Sequence, residues 1–297
     1  MTSIGIDLGG TWIKAVLMDS DGSIHHQTYH PTHADRRPGE DHWKEAIAET
    51  VAEMKEKYPL PHPVIGLSAP GLPNATNDAI AFMPGRLAGL ENFQWGKFLG
   101  ETVHVLNDAH AALMAEARFG AAKGVKNALM LTLGTGVGGG ILIDGKLYQG
   151  FFQKAGHVGH VTVNAAGERD IVGVPGSLED AIGNATVEKR SLGRYQTTYA
   201  LLEAYRQGDH FARWLWLDSV QKLATGIASL VNVLSPDLVI LGGGITGADG
   251  DLFEPLASFL DLYEWRPGGK HTPVVQAHFG DMAGAIGAAS FALQRSV

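Results

Sequence analysis

Cysteine is absent from the 297 residues, which excludes disulfides, thiolate metal sites, iron–sulfur clusters and cysteine nucleophiles. An excess of basic charge is also missing: 23 Lys and Arg stand against 31 Asp and Glu, a net charge of −8. No basic stripe overrides that balance, so nucleic acid is not an expected partner. No apolar run suits a membrane span. The longest uncharged stretch near that length, Asn127 to Ile143, holds five glycines and two threonines and makes a poor spanning helix. The chain reaches Asp7 with neither a basic n-region nor an apolar h-region, so it does not read as a signal peptide and the expected location is the cytoplasm.

What the chain has in plenty is glycine, at 39 residues, nearly twice the usual share. The rest is ordinary for a globular protein, with 45% apolar and 18% charged residues. The length favours two domains. The glycines cluster at Gly9-Gly10, at Gly134-Thr135-Gly136-Val137-Gly138-Gly139-Gly140 and at Gly242-Gly243-Gly244, each after an apolar strand-like run. Turns of that composition let backbone N–H groups approach an anion, because no Cβ intervenes.

Strands are predicted over 3–8, 15–19, 23–29, 64–68 and 103–106, with a helix over 42–57 and an Ala-rich helix following Asn107-Asp108 to about Phe119. The pattern then restarts with strands over 128–133, 140–143 and 146–148. Placing Leu8-Gly9 on Leu133-Gly134 aligns strand, glycine turn, strand and Asp-Gly turn in both halves. A period of that length is too long for a solenoid unit and points to two related α/β domains, whose glycine-turned hairpins would clamp a polyphosphate. Val220, Leu223, Ala224, Ile227, Leu230, Val231 and Leu234 form a helical apolar face, a strand follows over 238–241, and residues 281–294 read as a closely packed helix. The boundary falls within 109–124. It divides a small domain, 1–115, from a large one, 116–283, with residues 284–297 returning to the first.

Three phosphate or nucleophile motifs can be set aside. Gly134-x-Gly136-x-x-Gly139 matches a dinucleotide fingerprint but leads into a strand instead of a helix. Gly140-x-x-x-x-Gly145-Lys146 puts Leu147 where a P-loop needs Ser or Thr. Gly66-x-Ser68-x-Pro70 lacks the second glycine of a nucleophile elbow.

What remains is Asp7-x-Gly9-Gly10-Thr11, Asn107-Asp108, Gly134-Thr135-Gly136-x-Gly138-Gly139, Gly156-His157-x-Gly159-His160 and Gly242-Gly243-Gly244. In that order and spacing, over nearly the whole chain, the sequence resembles the ROK family of sugar kinases and sugar-responsive repressors. The resemblance implies an α/β fold of two RNase H-like (actin-like ATPase) domains with an interdomain cleft, closing over ATP and a hydroxylated ring. Repressor members carry an N-terminal helix-turn-helix, for which a first strand at Ser3 leaves no room.

Phosphoryl transfer to a sugar hydroxyl needs a base at the alcohol, donors around the phosphates and Mg²⁺. Asp108 is the candidate base; its competing role is a helix N-cap, although no capping box follows because residue 111 is Ala. By the resemblance, Asn107 binds a substrate hydroxyl, and Gly71 and Glu179 also belong to the sugar site. Asp7 orients Mg²⁺ through water, and Gly9, Gly10, Thr11 and Lys14 lie by the phosphates. Gly134, Thr135, Gly136, Gly138 and Gly139 supply a second set of phosphate contacts, and Gly243 and Gly244 flank the adenosine.

The sugar site departs from the family pattern Gly-Glu-x-Gly-His. His160 is kept, but His157 replaces the Glu. A carboxylate only accepts hydrogen bonds, whereas a neutral imidazole offers one donor and one acceptor, so hydroxyl recognition must differ. The family zinc motif Cys-x-Cys-Gly-x-x-Gly-Cys-x-Glu is represented here by residues 170–179, with Asp170, Val172 and Ser177 in place of the three thiolates. Val172 cannot ligate a metal, so no structural zinc is expected, and loop order is expected to come from packing with help from Pro175.

The function expected is an ATP- and Mg²⁺-dependent kinase of a glucose-like hexose, working as a homodimer. The alternatives are a kinase of an amino sugar or cyclitol, or a non-catalytic sugar sensor, against which the retained Asp108 speaks. Some relatives without zinc use polyphosphate, usually with extra basic residues around the phosphate channel. No such Lys/Arg cluster occurs here, which favours ATP.

Overall fold

The computed structural model describes residues 1–32, 42–58, 62–83 and 87–296. Val297, the last residue of the expected returning segment, lies outside them. The chain divides into two compact units, Met1–Gly124 with Leu147–Ala155 and His278–Val297, and Val125–Lys146 with Gly156–Ala277. The proposed 115/116 division falls inside a helix, Asp108–Phe119, that stays whole within the first unit. Residues 109–116 of that helix are all buried, so it belongs to the interior of the first unit and carries no boundary.

In the first unit, strands β1 (Thr2–Leu8), β2 (Trp12–Asp19) and β3 (Ile24–Pro31) precede helix α1 (His42–Lys57). Strand β4 (Val64–Ala69) is followed by a small antiparallel pair, β5 (Leu72–Pro73) and β6 (Ile80–Phe82). Helix α2 (Trp95–Leu99), strand β7 (Val103–Asn107) and helix α3 (Asp108–Phe119) complete this stretch. The sheet order is β3-β2-β1-β4-β7, with β1–β2 and β2–β3 antiparallel and the last two pairings parallel.

The second unit carries the repeat. Strands β8 (Ala128–Leu133), β9 (Val137–Ile143) and β10 (Lys146–Tyr148) are followed by short helices α4 (Leu178–Ile182) and α5 (Val187–Arg190). Then come α6 (Thr198–Arg206), α7 (His210–Leu234), β11 (Leu238–Gly242), α8 (Gly250–Tyr263) and β12 (Val274–Gln276). The sheet order is β10-β9-β8-β11-β12, the same path as the first sheet. The hairpins correspond, with one residue more in the first: Leu8 pairs with Ile13 across Gly9-Gly10-Thr11-Trp12, and Leu133 pairs with Val137 across Gly134-Thr135-Gly136.

Helix α9 (Ala283–Arg295) belongs to the first unit and explains several of its glycines. Strand alternation sends Ile4, Ile6 and Leu8 toward α1, with Trp43, Ile47 and Met54. The opposite parity, Ser3, Gly5 and Asp7, therefore faces α9. A Cβ on Gly5 would lie 2.0 Å from the Ala285 carbonyl oxygen, and one on the paired Gly66 would lie 1.9 Å from that of Ala288. Only a strand without side chains at that point lets the helix backbone settle on the sheet. The small residues of α9 serve the same close approach. Among the described residues no helix is long and apolar enough to cross a membrane.

Candidate active site

Asp7 ends the α9-facing parity of β1 and sits across from Lys14 of β2. Its Oδ1 accepts the hydroxyl of Ser68 from the neighbouring β4. Burial pushes its carboxyl up to about 6, and the nearby Asp108 adds to the rise, while the Ser68 bond and Lys14 work against it. The Lys14 ammonium does not pair with Asp7 directly: it donates to the Asp281 carbonyl at 2.7 Å, with the Asp281 carboxylate at 3.6 Å. A partly buried carboxylate held this far from ionising by burial and by a second carboxylate fits a place where a cation is to be bound.

Asn107 and Asp108 divide two tasks. Asn107 is the N-cap of α3, its Oδ1 accepting from the backbone N–H of Ala109 at 3.0 Å and of His110 at 3.3 Å. Its Nδ2 donates to the Gly71 carbonyl at 3.0 Å. Gly71 is required by its own geometry, with φ +101 and a Cβ that would fall 2.7 Å from Met83. Capping therefore falls to the preceding residue, and Asp108 stands exposed at the helix start, one oxygen accepting from Ala109 N at 2.8 Å. His110 is buried behind it and bonded through Nε2 to the Ala155 carbonyl at 2.7 Å, and burial lowers its pKa. Gly9, Gly10 and Thr11 form the β1–β2 turn, and a Cβ on Gly10 would meet nothing within 4 Å, so that backbone is open to a ligand.

In the second unit, the turn Gly134-Thr135-Gly136 closes on itself through Gly134 N to Gly136 O at 2.9 Å. Glu179 lies against this turn: its Oε2 accepts the Val137 N–H at 3.0 Å, and a Cβ on Gly136 would collide with its carboxylate. Gly138 and Gly139 are paired in β9 with Thr132 and Leu131, so this part of the cluster is strand, not loop. The expected strand start at 140 was late for that reason: glycine lowers strand propensity, but here lets the following segment pack on the backbone. Gly156 and Gly159 do so, the second with a Cβ position 2.0 Å from the Val137 carbonyl oxygen. They hold a 3-10 turn, Val158–His160, with His157 at its head and both histidines partly exposed.

Asp170 is the residue sequence reasoning undervalued. Its Oδ2 receives the Nδ1–H of His160 at 2.9 Å, and its Oδ1 receives the backbone N–H groups of Val172 and Val174 at 3.0 and 2.8 Å. Burial acts to raise its pKa, but the His160, Val174, Ser177 and Val172 hydrogen bonds outweigh it and hold the carboxyl below its usual range. Packing is one part of what orders this loop: a Cβ on Gly176 would lie 1.8 Å from the Asn164 carbonyl oxygen, and Pro175 bridges Arg169. Ile171 and Val172 are 82% and 53% exposed, and around them the buried Asp170 carboxylate adds hydrogen bonds that the expectation did not include.

Gly243, with φ +87, packs on the Leu133 backbone at the end of the central strand. Beyond it opens a cleft of about 390 Å³ lined by Gly134, Thr135, Tyr199, Leu202, Gly244 and Ile245, among others. Tyr199, Leu202 and Ile245 sit on segments with no motif of their own, so no pattern in the sequence marks them. Gly284 is likewise new: a Cβ there would lie 2.6 Å from the Asp7 carboxyl carbon, so α9 leaves that carboxylate its space. The small-residue run of α9 was its only trace.

A family model described as the ROK family matches residues 3–295. The chain belongs to the ROK family. It is a variant without the cysteines of the zinc motif. It is similar to a glucokinase of Thermotoga maritima, 32% identical over 98% of this chain and 97% of that protein. Among solved structures it is similar to a ROK hexokinase from Thermus thermophilus, at TM-score 0.87 and 30% identity over the whole of both chains. A ROK family glucokinase from Streptomyces griseus, solved with glucose and AMPPNP, gives TM-score 0.80 and 28% identity over 99% of this chain and 100% of that one. The two repeated sheets are those of the actin-like ATPase fold that these neighbours share.

Proposed function

We propose that this protein is a sugar kinase that transfers the γ-phosphoryl group of ATP, with Mg²⁺, to a hydroxyl of a glucose-like hexose. The observation that carries the reading is the division of labour at β7–α3: Asn107 takes the helix cap, which leaves Asp108 exposed beside the raised Asp7. A carboxylate so placed can accept the proton of an attacking hydroxyl. The family membership and the glucose and AMPPNP of the Streptomyces griseus enzyme support the sugar and the nucleotide.

The residues fit the absent groups. Asp7 would orient Mg²⁺ through water, and Gly9, Gly10, Thr11 and the Gly134–Gly139 stretch would offer backbone to the phosphates, with Lys14 nearby. The adenosine would lie in the cleft beside Gly243 and Gly244. Mg²⁺–ATP supplies the electrophilic phosphoryl group and the charge that neutralises it. The chain's own part is to hold a ring hydroxyl with Asn107, His157, His160 and Glu179 and to take its proton on Asp108. Gly71 anchors Asn107 from behind. In this reading the enzyme works where ATP is abundant, in the cytoplasm, and as a homodimer.

Turnover of ATP against a panel of hexoses, amino sugars and inositols tests the function directly, and no turnover with any of them would reject it. Run with His157→Glu, the same panel tests the acceptor site. An unmatched buried hydroxyl costs roughly 1–3 kcal/mol, so relative kcat/KM values should reorder by about one to two decades. An unchanged ranking in a folded variant would move specificity elsewhere. For the nucleotide, Gly244→Val is informative. Its Cβ would meet nothing within 4 Å, so the fold should be kept while the side chain enters the cleft. We expect KM for ATP to rise by about tenfold, or ~1.4 kcal/mol, with the sugar KM unchanged.

A further inference from the structure

The place where relatives hold zinc is occupied here by hydrogen bonds converging on one carboxylate. Asp170 stands at the first thiolate position and Ser177 at the third, and the Ser177 hydroxyl is among the groups bonded to the Asp170 carboxylate. His160 and the N–H groups of Val172 and Val174 complete its partners. The Asp170 side chain is 0% exposed, while that of His160 is 31% exposed. One end of the imidazole is thus fixed in the interior and the rest of the ring reaches the surface.

We infer that Asp170 is a positioning residue that locks His160 in a single tautomer, with Nδ1 carrying the proton and Nε2 left as a hydrogen-bond acceptor for a sugar hydroxyl. This rests on the proposed sugar site. An ionised carboxylate can only accept, so the ring nitrogen 2.9 Å from it must donate. A neutral imidazole has one N–H, so Nε2 then has none. The second carboxylate oxygen is held by two backbone N–H groups, which fixes the direction from which Oδ2 meets the ring. His160 thereby recognises a hydroxyl that donates, and a ring position without a donor hydroxyl there is selected against.

Asp170→Asn distinguishes this from a merely structural role. Asparagine has one acceptor oxygen. The two backbone N–H groups claim it, which turns the Nδ2 amide toward His160 and reverses what the ring must do: Nδ1 accepts and Nε2 carries the proton. Nitrogen-15 NMR of the histidine side chains at a pH where the ring is neutral, with His160 assigned by its loss in His160→Gln, reads the tautomer without any assay of activity. The wild-type protein should show Nδ1–H, and Asp170→Asn should show Nε2–H, with the sugar KM raised by roughly tenfold or more and the ATP KM unchanged. Nε2–H in the wild type overturns the inference, as does an Asp170→Asn variant whose tautomer or sugar KM is unaltered. Should that variant not fold, the wild-type spectrum still decides. If no sugar is phosphorylated at all while the wild-type ring is Nδ1–H and Asp170→Asn reverses it, the functional reading fails and the ring lock stands.

Discussion

Asp108→Asn should lower kcat by roughly 10²–10⁴-fold, the range for loss of a general base, while the KM values for sugar and ATP change little. The reason for a clean result lies in Asn107. Because that residue supplies the N-cap bonds to Ala109 and His110, α3 keeps its start whichever residue stands at 108. Asparagine also retains an oxygen for the Ala109 N–H that Asp108 accepts at 2.8 Å. What it loses is a site for the hydroxyl proton and one negative charge near Asp7. The drop should therefore fall on kcat at every pH, and the melting temperature should stay within a few degrees of the parent. Steady-state kinetics over pH 5–9 would check this, and near-normal turnover at any pH would remove Asp108 from the reaction.

How far the sequence reached can be judged from particular residues. Repeated strands and turns were legible because strand patterns and Gly-rich turns are local, and β8 begins and ends where the apolar run does. Helix α7 was only half legible. Its apolar face was read from Val220, yet it begins at His210, capped by the Asp209 side chain on Ala212 N. Trp214, 60% exposed, broke the pattern in that first stretch. Asp170 shows in the sequence only as a lost ligand, because no periodic pattern joins it to His160, and the two meet only when the loop folds. The family resemblance places Glu179 at the sugar, and the fold shows that one of its oxygens is bonded to the glycine turn at Val137. The cleft-lining Tyr199, Leu202 and Ile245 had no pattern at all, since they come from separate segments that meet only in the folded unit.

Asp7→Asn should abolish most activity and, without ligands, make the protein more stable at neutral pH. The wild-type carboxyl is pushed up to about 6, chiefly by burial, from an unfolded value near ~4. The native state therefore holds this proton more tightly than the unfolded chain does. Its contribution is most favourable below about pH 4, is lost as pH rises toward 6 and is flat above that. The shift corresponds to roughly 2–3 kcal/mol, which Asn, unable to ionise and still able to bond Ser68, does not lose. Asp7→Asn and wild type should thus melt alike near pH 4 and separate in favour of the variant by pH 7.5. Mg²⁺–ATP should then close the gap, because it stabilises the wild-type carboxylate and finds no charge to bind in the variant. Thermal unfolding at the two pH values, with and without Mg²⁺–ATP, provides the test. A variant less stable than wild type at pH 7.5 would show that the Asp7 charge is satisfied within the protein itself and waits for no cation.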